Sequence, residues 1–205
     1  MNLFKKSLIV AYISILSYSI MSANSNVDPV HGPNRSDDPY NPVPVFYNTP
    51  FNSDLVSIMA QNGVVITVWA TAPLNWVWGY SARDSVPFGY LRIWRLKLYP
   101  KNYVQIVNES TKTCLSAYLS GVVHTTCDVK SAPQFWEMIP FDNGAVQFKN
   151  FSDGRCLQTD FERGFKFYNI NLTPCVEKNR TNIDQQWMIT APTIKTRSVK
   201  EPLNF

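Results

Sequence analysis

The sequence predicts an all-β fold in which three similar lobes of short strands close a barrel around a pseudo-threefold axis. Aromatic residues make up 14% of the 205 residues, and aromatic and β-branched residues favour strands. A pattern of cysteine and tryptophan elements recurs with a period of 42 residues. Glycine turn signals precede several β-branched runs, and no segment shows a helical stripe.

Residues 1–23 show the three-part pattern of a secretory signal peptide. Lys5 and Lys6 provide a positive start, an uncharged apolar run of 15 residues follows from Ser7, and Ala23 offers a small residue for cleavage. The run is shorter than the roughly 20 residues that span a bilayer. We therefore predict a secreted protein, exported to the periplasm and then outside the cell or to its outer surface.

The charge of the exported chain argues against direct nucleic-acid binding. The full chain has a formal net charge of +4, and residues 1–23 hold two lysines and no acidic residue, which leaves +2 after cleavage. Such a small excess is too weak to favour nucleic acid or an anionic membrane.

Both ends of the exported chain are predicted to be extended arms. Residues 24–53 carry six prolines in a polar stretch without periodicity. Residues 191–205 have a similar character, with Pro192 and Pro202. Such segments stay extended until something binds them, which leaves residues 54–190 as the folded domain.

A weak internal repeat divides this domain into three lobes. The second and third copies share Cys-Leu, a later cysteine and a Gln-x-Trp element, and Cys114 and Cys156 are 42 residues apart. A cruder first copy begins near Asp54 and ends on Trp94, which lies 42 residues before Trp136. One lobe cannot bury its apolar face alone, whereas three lobes around an axis share a core and remove exposed sheet edges.

Each lobe ends on a tryptophan, namely Trp94, Trp136 and Trp187. Because the three occupy the same place in the repeat, we predict that they pack into the shared structural core. A role for them in ligand binding is the alternative.

The exported chain contains four cysteines, Cys114, Cys127, Cys156 and Cys175. An even number in an exported protein indicates two disulfides, and sequence alone allows three pairings. The repeat favours the sequential pairing, one bond within each of the last two lobes. A metal site is the rival interpretation, but no Cys-x-x-Cys motif occurs and the two histidines are isolated, so we predict neither metal nor cofactor.

Four aromatic residues of the first lobe, Trp69, Trp76, Trp78 and Tyr80, fall within 12 residues. Alternation along a strand places the last three on one face, which is either core or a binding platform. The three repeat tryptophans already supply the core, and the polar edges of Trp and Tyr suit wet surfaces. We therefore predict that these four residues, the aromatic patch, bind a receptor.

The Cys-Leu and Gln-x-Trp elements resemble the ricin B-type lectin repeat over roughly residues 54 to 190, which implies a β-trefoil fold. A more particular resemblance is to the family of the A subunits of the cytolethal distending toxins. It is carried by Trp69, the run Trp76-Val77-Trp78-Gly79-Tyr80, the run Thr113-Cys114-Leu115-Ser116-Ala117-Tyr118, Gly121-Val122 and Cys127-Asp128.

This resemblance implies a non-catalytic cell-surface-binding and delivery component of a tripartite bacterial genotoxin. The expected partners are the toxin's B subunit, which is a nuclease, and its C subunit, which is lectin-like and forms a groove with the A subunit. The expected host ligand is a cell-surface glycan, glycoprotein or lipid, contacted by the aromatic patch. Extended arms in such complexes cross onto partner subunits.

The chain departs from the sugar-binding pattern of the ricin-type family. There, an aspartate shortly after Cys-Leu accepts hydrogen bonds from sugar hydroxyls. The corresponding positions here are Ser116 and Gln158, which are neutral and accept weaker hydrogen bonds. Asp160 is the nearest stand-in, and we do not expect inherited simple-sugar binding in these lobes.

No catalytic constellation is apparent, so we predict that the chain is not an enzyme. His31 lies in the proline-rich arm, and His124 is predicted to lie in a surface turn between two cysteines. A phosphate loop, a nucleophile elbow and a His-x-x-His pair are all missing from the sequence.

Two other functions fit the same features. One is a free-standing secreted ricin-type lectin, which co-purification with co-encoded toxin subunits would exclude. The other is the binding module of a carbohydrate-active enzyme without its catalytic domain, which a simple-sugar ligand in lobes two and three would favour.

Overall fold

A computed structural model describes residues 50–160, 162–164, 166–176, 183–192 and 194. The predicted signal peptide, the arm as far as residue 49 and nearly all of the C-terminal tail lie outside these residues. Within the described ranges, no helix is long and apolar enough to cross a membrane.

The described residues form twelve strands and four 3-10 helices. The strands are β1 Phe51–Ala60, β2 Val64–Val68, β3 Val77–Ser81, β4 Trp94–Leu98, β5 Tyr103–Asn108, β6 Thr113–Tyr118, β7 Gly121–Thr126, β8 Trp136–Pro140, β9 Val146–Asn150, β10 Cys156–Thr159, β11 Ile170–Thr173 and β12 Trp187–Thr190. The 3-10 helices are Val86–Arg92, Pro100–Asn102, Ala132–Gln134 and Ile183–Gln185.

The strands build the three predicted lobes with four strands each. In every lobe the first strand pairs with the fourth and the second pairs with the third, always antiparallel. The fourth strand of each lobe also pairs with the first strand of the next, so that β12 returns to β1. Six strands therefore close a barrel, and the hairpins β2–β3, β6–β7 and β10–β11 cap it, as expected for a β-trefoil.

Trp94, Trp136 and Trp187 each begin the fourth strand of a lobe and are 0% exposed. Each indole Nε1–H donates to a backbone carbonyl of its own lobe. The acceptors are Ile66 at 2.9 Å, Leu115 at 3.1 Å and Leu157 at 2.9 Å, which lie in the second strand of each lobe. The three tryptophans thus occupy equivalent places in the core.

The glutamine of each Gln-x-Trp element ties the end of a hairpin to the barrel. The amide of Gln134 donates to the carbonyl of Thr126 at 2.8 Å, and that of Gln185 donates to the carbonyl of Pro174 at 2.9 Å. In the first lobe, Arg92 takes this place and donates to Ser85 at 2.9 Å. The first copy is therefore degenerate in sequence while its architecture is retained.

Two disulfides join Cys114 to Cys127 and Cys156 to Cys175, with sequence separations of 13 and 19 residues. This is the sequential pairing that the repeat favoured, one bond in each of the last two lobes. Each bond links the start of a lobe's second strand to the chain beyond its third strand, and so closes the hairpin.

The first strand begins slightly earlier than the sequence indicated. β1 starts at Phe51, so the last three residues of the predicted arm belong to a strand that pairs with β4 rather than stay outside the fold. Pro50 stands immediately before the strand, where a missing N–H interrupts no ladder. At the other end, β12 closes at Thr190, where the predicted domain ends.

Candidate functional site

The aromatic patch is carried by β3 and the segment that leads into it. Val77 is 1% exposed and Gly79 is buried, whereas the alternate residues Trp76, Trp78 and Tyr80 are only partly buried. The alternation therefore places these three rings on the side of β3 that faces away from the core, as the sequence indicated. Trp69, directly after β2, is 47% exposed.

The structure brings only part of the patch together. The rings of Trp76 and Trp78 are neighbours, with centroids 6.2 Å apart. Tyr80 instead packs on Phe88, at 4.6 Å. Among the described residues, no ring contact joins Trp69 or Tyr80 to the two central tryptophans. Burial raises the pKa of the Tyr80 hydroxyl, so it remains a neutral hydrogen-bond donor near neutral pH.

Two further rings, which the sequence interpretation missed, complete the surface. The ring centroid of Tyr118, at the end of β6, lies 5.6 Å from that of Trp76. The ring centroid of Phe167, ahead of β11, lies 4.4 Å from that of Trp78. We call Trp76, Trp78, Tyr118 and Phe167 the three-lobe surface, because the first, second and third lobes all contribute to it. Tyr118 stands in the family-like run around Cys114, but nothing in the sequence placed it beside β3.

Contacts between the hairpins explain why these rings meet. Trp76 forms an isolated bridge with Val123 of β7, and Gly79 forms another with Tyr168. Asn171 of β11 pairs with Gly121 of β7. The three hairpins therefore contact one another at the cap of the barrel, and their aromatic residues gather there.

Gly121 allows the tightest of these approaches. A Cβ built at this position would lie 3.0 Å from Cζ3 of Trp76 and 3.0 Å from the carbonyl oxygen of Ile170. Real Cβ atoms seldom come so close to another heavy atom. The absent side chain at position 121 thus makes room for the Trp76 ring.

His124 does not lie in a surface turn, and that expectation was wrong. It is 0% exposed and belongs to β7, where Gly121 to Thr125 are all buried. Its ring Nε2 lies 2.9 Å from the carbonyl oxygen of Ala70, and its Nδ1 lies 2.9 Å from the Thr113 hydroxyl. Burial is the main cause that lowers the pKa of His124, against the opposing effect of the Ala70 hydrogen bond.

The residues at the sugar-binding positions of ricin-type lectins make contacts within the fold here. Ser116 is 6% exposed. Gln158 accepts hydrogen bonds from Thr173 at 2.8 Å and from Gln185 at 3.2 Å. These side chains are committed to the fold, so they offer a sugar little hydrogen-bonding capacity.

Asp160, the carboxylate nearest in sequence to the lectin position Gln158, is also hydrogen-bonded within the fold. Its two oxygens accept hydrogen bonds from the side chains of Asn169 and Asn171, both at 2.8 Å. Within the described part of the chain, no group of three or more His, Cys, Asp or Glu residues is arranged to hold a metal ion.

The closed six-stranded barrel, its three hairpins and its three buried tryptophans define a β-trefoil protein. A crystal structure of the BEL β-trefoil matches with a TM-score of 0.52 over 71% of this chain and 97% of that chain. At 18% identity, this match supports the fold alone.

A family model described as the cytolethal distending toxin A/C domain matches residues 55–199. The chain is 42% identical over 178 residues to the A subunit of the cytolethal distending toxin of Campylobacter jejuni, which covers 83% of this chain and 65% of that protein. A chain in the crystal structure of the toxin from Actinobacillus actinomycetemcomitans is 34% identical, with a TM-score of 0.65 over 71% of this chain and 96% of that chain. This chain belongs to the cytolethal distending toxin A/C domain family. It spans a little less than two thirds of the Campylobacter relative's length.

Proposed function

We propose that the chain is a non-catalytic component of a tripartite bacterial genotoxin, which binds the host cell surface and helps to deliver a nuclease-type B subunit together with a second lectin-like protein, the C subunit. The proposal rests on membership of the toxin family, whose compared relatives are A subunits. The observation that carries the binding role is the three-lobe surface, with the exposed Trp69 nearby.

The chemistry of this surface suits adhesion. Four large rings present apolar faces next to indole and phenol groups, which combine hydrophobic contact with hydrogen bonding. Trp and Tyr are enriched among the residues that carry most of the binding energy of interfaces. Because all three lobes position these rings on a closed barrel, little conformational entropy is lost when a ligand binds.

The ligand in this proposal is a cell-surface glycan, glycoprotein or lipid contacted through ring faces. The lectin positions in lobes two and three are used internally, with Gln158 and Asp160 both hydrogen-bonded within the fold. Recognition through an aspartate and sugar hydroxyls, as in ricin-type lectins, is therefore not part of the proposal.

A non-catalytic role agrees with the side chains that remain. The buried His124 is held between a hydroxyl and a carbonyl, so its ring lies away from any substrate in solvent. The two oxygens of the Asp160 carboxylate accept hydrogen bonds from the side chains of two asparagines. In this proposal the toxin's nuclease activity belongs to the B subunit.

Export and assembly complete the proposal. Two disulfides suit an oxidising compartment, in line with a secreted chain whose residues 1–23 are removed. The arms, residues 24–50 and 191–205, would reach the B and C subunits, because such proline-containing segments can wrap a large partner surface.

The test is to replace Trp76 and Trp78 together by serine and to measure binding of the assembled toxin to host cells. Tyr90→Ser is the matched control, because Tyr90 is an aromatic residue 53% exposed outside the surface. We expect the double variant to bind poorly while the control binds normally and both keep the native circular dichroism spectrum. Unchanged binding by the folded double variant would reject the surface, and failure to co-purify with the B and C subunits would favour a free-standing lectin.

A further inference from the structure

One residue of the second lobe holds the loop that links β2 and β3. The ring of His124 contacts the carbonyl of Ala70 at 2.9 Å. The backbone of His124 accepts a hydrogen bond from the N–H of Leu74 at 2.8 Å and donates one to the carbonyl of Asn75 at 3.3 Å. Three hydrogen bonds thus fasten residues 70–75 to β7.

This loop connects two members of the aromatic patch. Trp69 precedes the held segment and Trp76 follows it, where it bridges to Val123, the residue before His124. Any movement of the loop away from β7 would therefore displace Trp69 and weaken the packing of Trp76 against Gly121.

The ring contacts define which nitrogen of His124 carries the hydrogen. A carbonyl oxygen only accepts, so Nε2 must donate to Ala70, and the Nδ1 of a neutral ring accepts from the Thr113 hydroxyl. The Thr113 oxygen lies 2.6 Å from the Thr111 oxygen, and either hydroxyl is placed to donate to the other. A neutral ring is thereby satisfied on both sides.

The surroundings of the ring offer no compensating negative charge. Residues 69–76 include no ionisable side chain, and in β6 and β7 the ionisable groups besides His124 are Tyr118 and the disulfide-bonded Cys114. In the segment just before β6, the charged residues Glu109 and Lys112 pair with each other at 2.8 Å. Among the described residues, no carboxylate hydrogen-bonds to the imidazole.

We propose that His124 is a positioning residue for the aromatic patch, that its neutral ring holds residues 70–75 on β7, and that protonation of the ring releases this segment. The proposal extends the binding function proposed above, but its first test reads the loop itself and does not depend on any receptor.

The release follows from the cost of a buried charge. A protonated Nδ1 would donate to the Thr113 hydroxyl, which would then donate to the Thr111 hydroxyl. The hydrogen bonds alone therefore do not prevent protonation. The positive charge, however, would be desolvated without a partner, which is why burial lowers the pKa of His124. Water reaches the ring once residues 70–75 lift away, so acid favours the open loop.

The direct test is hydrogen exchange of the Leu74 amide in the full chain, after correction for the intrinsic effect of pH. Between about pH 7.5 and about pH 5.5, we expect exchange to accelerate by up to about tenfold, the change that linkage allows for a group of ordinary pKa 6.5. The Gly63 amide is the internal control, because it donates to the carbonyl of Ala60 in a turn that is far in sequence from any histidine. Its corrected exchange rate should not change with pH.

Two variants separate the hydrogen bond from the charge. His124→Gln places an uncharged N–H donor near the position of Nε2, so Leu74 should stay protected at both pH values. His124→Asn does not reach Ala70, so Leu74 should exchange quickly at both. The proposal is overturned if Leu74 in the unmodified chain ignores pH, or if His124→Gln shows the same acid response.

Discussion

Gly121 of the second lobe leaves the space that the Trp76 ring of the first lobe occupies at the cap of the barrel. A Cβ at position 121 would stand 3.0 Å from Cζ3 of the Trp76 ring. The carbonyl oxygen of Ile170 limits the same space at 3.0 Å, so a Cβ at position 121 requires its neighbours to shift by a few tenths of an ångström. The position of Trp76 on the three-lobe surface therefore depends on a glycine in another lobe.

Gly121→Ala should consequently reduce both stability and binding. We expect a loss of about 1–3 kcal/mol in the free energy of unfolding, the usual cost of overpacking, and weaker attachment to host cells because Trp76 is displaced. Urea titration and cell binding measure the two effects. Ser120→Ala, at the adjacent exposed position, is the control. A Gly121→Ala protein with native stability would show that the junction is looser than described.

Phe167→Ser should weaken host-cell binding even though the predicted aromatic patch included no residue of the third lobe. The ring lies 4.4 Å from Trp78 and helps to hold it in place. We expect a loss of about 1 kcal/mol or more in binding free energy, the scale of a single aromatic pair. Cell-binding titrations of the assembled toxin provide the measurement, with Tyr90→Ser again as the control. Equal affinities for the two variants would exclude the third lobe from the surface.

Trp187→Phe should destabilise the protein more than an exposed tryptophan substitution does. It removes the hydrogen bond from Nε1 to Leu157 and leaves a cavity in a site that is 0% exposed. We expect a cost of about 2 kcal/mol or more. Trp69→Phe, at a position 47% exposed, should stay within about 0.5 kcal/mol. Comparable losses in both variants, measured by chemical denaturation, would contradict the structural role of Trp187.

Stability should fall with acid because of His124. Burial lowers its folded-state pKa, so below the ordinary value of 6.5 the unfolded chain takes up a proton before the folded chain does. The loss is at most about 1.4 kcal/mol per pH unit between pH 6.5 and the folded-state pKa, and it stops below that pKa. Urea titrations should show this slope, and His124→Gln should lack it. An identical slope in both proteins would assign the acid sensitivity to other groups.

The repetitive parts of the fold could be predicted from the sequence. The 42-residue spacing of Cys114 and Cys156 identified equivalent lobes, which in turn favoured the observed disulfides. The shared Gln-x-Trp element placed Trp136 and Trp187 at one structural position, and the 42-residue spacing between Trp94 and Trp136 added the first lobe. Alternation along β3 gave the common face of Trp76, Trp78 and Tyr80, because a half-buried strand exposes every second residue.

The remaining features depend on contacts between lobes, which local patterns do not encode. Tyr118 and Phe167 reach the surface through bridges between hairpins that are far apart in sequence. His124 was wrongly placed in a surface turn because β7 is buried on both faces, so the two-residue alternation that marks a surface strand is absent. A polar residue between two cysteines then resembled a loop residue.

The most direct test of the central claim, that three lobes build one receptor-binding surface, is oxidative footprinting of the assembled toxin, free and bound to host cells. Trp76 and Trp78 should be modified in the free complex and protected on the cells, while Tyr90 is modified equally in both. If both tryptophans are oxidised to the same extent on cells, or are already protected in the free complex by the partner subunits, the surface is not the receptor site.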